Sequence, residues 1–137
     1  MRVALRTRRD RGATAIELAI AGPVLVIFIF FCIQAGFWYY GRTIAVHSAR
    51  EGLAQMRLFQ DEQSYEAGRG PVLEHTRSFA SSLGGESLIT PEVTSEYDDE
   101  DGVVTVRVTG DVITLVPGLH LTASGEASGQ IERFEID

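Results

Sequence analysis

Lysine is absent from this 137-residue chain, and cysteine, tryptophan and proline are sparse at one, one and four copies. One cysteine, Cys32, excludes an intramolecular disulfide and reads as a small packing residue. All twelve basic residues are arginines, and five of them (Arg2, Arg6, Arg8, Arg9, Arg11) precede Gly12 with one acid, Asp10. The leader thus carries +4 and the rest, with seven arginines and eighteen acids, −11. An acidic body lacks the basic face that phosphate contact needs, so no nucleic-acid partner is expected.

Charge is also missing from Leu18 to Gly41, a run of 24 residues (LAIAGPVLVIFIFFCIQAGFWYYG). As a helix this run would be roughly 36 Å long, enough to cross a hydrocarbon core of about 30 Å with some tilt. A chain this small has too little else to cover Val24–Ile33 on all sides, which argues against a buried core helix. Phe37, Trp38, Tyr39 and Tyr40 cluster where amphipathic rings favour the headgroup layer, and the leading arginines place the N-terminus in the cytoplasm. The expected location is the cytoplasmic membrane, single-pass, with the C-terminus outside. A cleaved secretory signal is disfavoured, because the apolar run is too long and is followed only by His47-Ser48-Ala49 as a small-residue site.

Within the span, Pro23 cannot donate to residue 19, so a kink or local loosening is expected there. Cys32 and Gly36 form a small-xxx-small pair that permits close helix contact, as do Ala15 and Ala19. Gln34 reads as facing a partner helix or snorkelling outward.

Beyond the membrane, Val46, Ala49, Leu53 and Met56, widened by Ala45, Gly52 and Phe59, form an apolar stripe opposite Arg42, His47, Arg50, Glu51, Gln55 and Arg57. One helix is expected from about Ala13 to Phe59, its outer half an amphipathic stem. Residues 60–70 read as a loop, and Pro71 as the opening of a short helix burying Val72, Leu73, Phe79 and Leu83 and ending at Gly84-Gly85. Leu88–Tyr97 reads as a strand demoted by Pro91, and Val104, Val106 and Val108 mark a half-buried strand after the turn Asp98–Gly102. Val112–Val116 is a third apolar run stopped by Pro117-Gly118, and Leu119–Ile131 alternates as a long strand softly broken by Gly125 and Gly129. The fold class is α+β: a long transmembrane helix continuing into a stem, a short second helix and an antiparallel sheet of about three or four strands. Its divisions are a basic leader (1–12), the helix and stem (13–59) and an acidic outer domain (60–137).

Catalytic and metal signatures are weak. Around Gly102 an EF-hand would need acids at positions held by Tyr97, Asp99 and Asp101 and a glutamate where Val108 stands, so a solvated turn is the better reading. His47, His75 and His120 show no ligand spacing. No nucleophile elbow, Cys–His pair with supporting context or phosphate-binding loop occurs, so no enzyme, cofactor, metal or small-molecule substrate is expected.

The informative motif is the basic leader followed by Gly12, Ala13 and, five places after the glycine, Glu17 at the edge of the apolar run. A carboxylate there is tolerated by a helix N-terminus, whereas at the bilayer centre it would cost about 2.5–3.5 kcal/mol. Gly12, Ala13 and Glu17 followed by Leu18–Tyr40 resemble the class III leader of type IV prepilins and pseudopilins. With Pro23 and the Ala49-Arg50-Glu51-Gly52 turn, residues 9–59 are similar to TadE-like minor pseudopilins of the tight-adherence (Flp) pilus system. Thereafter only the β-rich tail, a late Pro-Gly and the closing Glu-Arg-Phe-Glu are similar. The resemblance implies cleavage between Gly12 and Ala13 by prepilin peptidase. Its implied partners are that peptidase, other pilins or pseudopilins, the pilus assembly platform and the membrane. Leu18 departs from the aromatic that usually follows the glutamate in Flp-type leaders. The alternative is an unprocessed single-pass anchor whose outer domain binds an envelope partner.

Overall fold

The computed structural model describes residues 9–131. In chain order these form α1 (Arg9–Met56), α2 (Glu62–Gly84) and three strands, β1 (Ile89–Asp98), β2 (Val103–Val112) and β3 (Leu121–Gln130). The expected α+β order is present, with three strands in the sheet. Met1–Arg8 of the leader and the closing Glu132–Asp137 lie outside the described residues.

The chain divides into two units, one ending at Ala35 and one beginning at Gly36. The described part of the first is the N-terminal stretch of α1. Helical structure persists through Pro23.

In the second unit the sheet is an antiparallel meander in the order β1-β2-β3. Alternation decides its faces, since successive side chains of a strand point to opposite sides. Val104, Val106, Val108 and Val112 of the central strand are buried with Val93 and Ala123. On the other face Arg107 Nε donates to Glu126 Oε2 at 2.9 Å, and the Thr105 and Ser128 hydroxyls pair at 2.9 Å. Both are register partners on β2 and β3. The inner face shares one core with Ile44, Ala45, Ala49 and Met56 of α1 and with Tyr65 and Ala80 of α2.

Four expectations require correction. First, α2 starts nine residues before Pro71, which lies inside it. Asp61 is its N-cap: its Oδ1 accepts the Ser64 N–H at 2.7 Å, and Ser64 Oγ accepts the Asp61 N–H at 3.2 Å. This reciprocal pair satisfies helix-end donors ahead of the glycines that suggested a loop. Second, the buried residues of α2 are Tyr65, Thr76, Ala80 and Gly84, whereas Val72, Leu73 and Phe79 are half-buried and Leu83 is exposed. Tyr65 is the large residue buried near the start of α2, and the smaller Thr76, Ala80 and Gly84 are buried along its second half. Third, Val112 ends β2, and the following Ile113–Val116 run belongs to the connection to β3. Fourth, β3 passes through Gly125 and Gly129 without a break.

The hairpin turn between β1 and β2 is as expected, with Gly102 at φ 63° and Asp98 Oδ1 accepting the Glu100 N–H at 3.0 Å. Pro91 sits on edge strand β1, where a missing N–H is tolerated. The register shifts there, between Ile89 and Glu92, and Thr90 takes a φ of 44°.

Candidate functional site

At the start of α1, Gly12 and Glu17 are both exposed, and a Cβ on Gly12 would meet nothing within 4 Å. Ala13 and Glu17 stand four residues apart in this helix. No large group shields the backbone at Gly12 among the described residues.

Downstream, Ile16, Leu18, Ile20 and the Val24–Phe31 run are large apolar side chains, all exposed. α1 is long and apolar enough to cross a membrane, and it is the one such helix among the described residues. This surface is left uncovered among the described residues, which is compatible with a membrane anchor. Cys32 is an exposed free thiol. Gly36, in the second unit, also has open space where a Cβ would stand.

The stem is fixed to the sheet by a series of close approaches. Trp38 Nε1 donates to the Thr122 carbonyl at 3.1 Å, while the Arg42 guanidinium lies 5.9 Å from the Trp38 ring centroid. A Cβ on Gly41 would come within 3.6 Å of Ala123 Cβ and 3.0 Å of Val112 Cγ2. One on Gly125 would lie 2.5 Å from the Ala45 carbonyl carbon and 2.6 Å from Val46 Cα. Farther along, Gly129 faces Leu53 and Arg57, and Arg57 Nε donates to the Gln130 carbonyl at 3.1 Å.

Residue numbers therefore rise together along α1 and β3. From Trp38 to Arg57 the helix climbs about 28 Å, and from Thr122 to Gln130 the strand climbs about 26 Å. The two elements run side by side in the same direction, with small residues where their backbones meet.

The sequence stripe located this stem face, but in part through the wrong side chains. Ile44, Ala45, Ser48, Ala49, Gly52 and Met56 are buried, whereas Val46 and Leu53 are only half-buried. The missed signal was the inward set Ala123, Gly125, Ala127 and Gly129 of β3. Small residues at every second place mark another backbone close by rather than a weak strand. Also unanticipated was a polar pair: Ser48 Oγ and Thr76 Oγ1 are buried without a hydrogen-bond partner among the described residues.

The histidines remain apart, with His47 on α1, His75 on α2 and His120 in the β2–β3 connection. Among the described residues no three His, Cys, Asp or Glu side chains converge as metal ligands would. The Asp61 carboxyl is held below its usual range by the Ser64 N–H and hydroxyl, and the Arg107 guanidinium is pushed up by its hydrogen bond and charge pairing with Glu126.

Comparison with known proteins adds a family. No match was found among curated proteins, and none among solved structures. The family model described as TadE-like protein matches residues 12–53, from the leader glycine through the span and along most of the stem. Over that stretch the chain is similar to TadE-like proteins.

Proposed function

We propose that the chain is a minor pseudopilin or assembly component of a tight-adherence, type IV-like pilus, and that prepilin peptidase processes it after Gly12. The observation that carries this reading is the TadE-like match over 12–53, which begins at Gly12 and takes in Ala13, Glu17 and the apolar run. Hydrolysis of the Gly12–Ala13 bond would leave a carboxylate on the leader and a free amine on Ala13. That amine would be protonated close to Glu17, each charge lowering the cost of holding the other beside apolar surroundings. In an assembly the same carboxylate would pair with the amine of a neighbouring subunit and set helix register. Pro23, Cys32 and Gly36 would serve this packing, the proline by loosening α1 and the small residues by letting helices approach.

The five leader arginines favour a cytoplasmic N-terminus and an extracytoplasmic acidic domain spanning 60–137, beyond the 13–59 helix and stem. The partners of this reading are the membrane, the peptidase, other pilins or pseudopilins and the assembly platform. The role is structural rather than catalytic.

Co-expression with a prepilin peptidase tests it. Wild type is expected to migrate faster on a denaturing gel than the Gly12→Lys variant, which stays uncut. Equal migration of the two would end the processing reading.

A further inference from the structure

The β2–β3 connection, Ile113–His120, is unlike the rest of the acidic domain. Its sequence ITLVPGLH carries no acid and no arginine. Four large apolar residues in it, Ile113, Leu115, Val116 and Leu119, are between 36% and 50% exposed. The connection is ordered: Thr114 Oγ1 donates to the Leu119 carbonyl at 2.9 Å, the Leu119 N–H to the Val116 carbonyl at 3.1 Å, and Gly118 takes a φ of 82°. Apolar side chains are thus presented outward by a fixed turn.

Its place in the second unit suggests a ligand. β3 follows α1 upward from the Trp38–Thr122 bond, so the connection that precedes Leu121 lies at the end where Phe37–Tyr40 enter the unit. The acidic turn Asp98–Gly102 lies at the other end, about 26 Å up the strand, because Val103 pairs with Gln130 and Gly102 O accepts the Ile131 N–H. The apolar connection and the acidic turn therefore lie at opposite ends of the sheet. Trp38 and the exposed rings of Tyr39 and Tyr40 mark the connection's end as the one at headgroup level.

We propose that Ile113–His120 is a second membrane contact, a monotopic loop inserted into the interfacial layer of the leaflet from which α1 emerges. This rests on the reading of α1 as a membrane crossing. The ligand is a zwitterionic phospholipid surface. Apolar insertion drives the contact, and the exposed Asp111 at the end of β2 and Arg42 beside Trp38 offset one another, so neither headgroup charge is selected.

Depth-dependent quenching tests the proposal. The full chain carrying Cys32→Ser is given one of Val116→Cys, Asp99→Cys or Val26→Cys, labelled with a fluorophore, and reconstituted at low density in phosphatidylcholine vesicles. The label at 116 is expected to be quenched at least twofold more than that at 99 by lipids brominated near the top of the acyl chain. Deep bromines should quench it less than shallow ones. Quenching at 116 no greater than at 99, with the label at 26 quenched, overturns the loop proposal and leaves the crossing intact. A label at 116 that is shielded from water yet unquenched by lipid also overturns it, since a protein surface then covers the loop. If the label at 26 is unquenched as well, the crossing itself fails, and the loop contact fails with it.

Discussion

Gly125 of β3 lies against the backbone of Ala45 on α1, with room for a hydrogen and not for a methyl group. Backbone atoms cannot rotate away as the end of a long side chain can, so Gly125→Ala must push strand and helix apart. Overpacking of this kind costs about 1–3 kcal/mol. Denaturant titration in detergent, followed by the fluorescence of the single tryptophan, Trp38, should show a lower midpoint. Gly70→Ala is the contrast: it lies inside α2 with open space around it, and should raise stability by about 0.5–1 kcal/mol.

The buried hydroxyls of Ser48 and Thr76 make an opposite prediction. Each loses water on folding without gaining a partner among the described residues. Thr76→Val keeps the shape and removes the unpaired oxygen, so stability should rise by about 1 kcal/mol in the same titration. A fall of similar size would mean that the hydroxyl is bonded in the protein.

Acid should loosen the start of α2. The Asp61 carboxyl is held below its ordinary value by the Ser64 N–H and hydroxyl, so its contribution is present above the unfolded value of 3.8. It is lost as pH falls from there through the lowered folded value. Hydrogen exchange at the Ser64 and Tyr65 amides should therefore accelerate over that window, relative to amides in mid-helix. Asp61→Asn keeps a capping oxygen without the titration and should flatten the response.

The membrane-spanning length, the stem, the acidic turn and the alternation of β2 were legible because each depends on local periodicity or on charge. The start of α2 was not. Gly68, Gly70 and Pro71 look like loop punctuation, yet tertiary packing overrides them: Gly68 gives room to the Phe59 ring, and Tyr65 donates from its hydroxyl to Ser95 Oγ at 2.8 Å. Val112–Val116 reads as one apolar run because composition alone does not reveal that β2 ends at Val112 and the rest belongs to the connection. Gly125 looked like a weakness because its meaning lies in Ala45, eighty residues earlier. In the leader, composition and spacing brought out Gly12, Ala13 and Glu17. Their resemblance to TadE-like proteins was read from these residues and the run that follows them, and the family model matches the same stretch, 12–53.

Cleavage and assembly should separate genetically. Glu17→Ala leaves the Gly12–Ala13 bond in place and should be processed to the wild-type extent, while recovery of the chain with sheared pilus material falls at least tenfold. Joint loss of both would make Glu17 part of what the peptidase recognises, against the register role given to it here.

The most direct measurement is the mass and N-terminal sequence of the mature chain, purified from a cell that carries the pilus system. The account predicts a start at Ala13, reading ATAIELAIAGPVL, with the first twelve residues gone. A chain that still begins at Met1, or at Arg2, would contradict it.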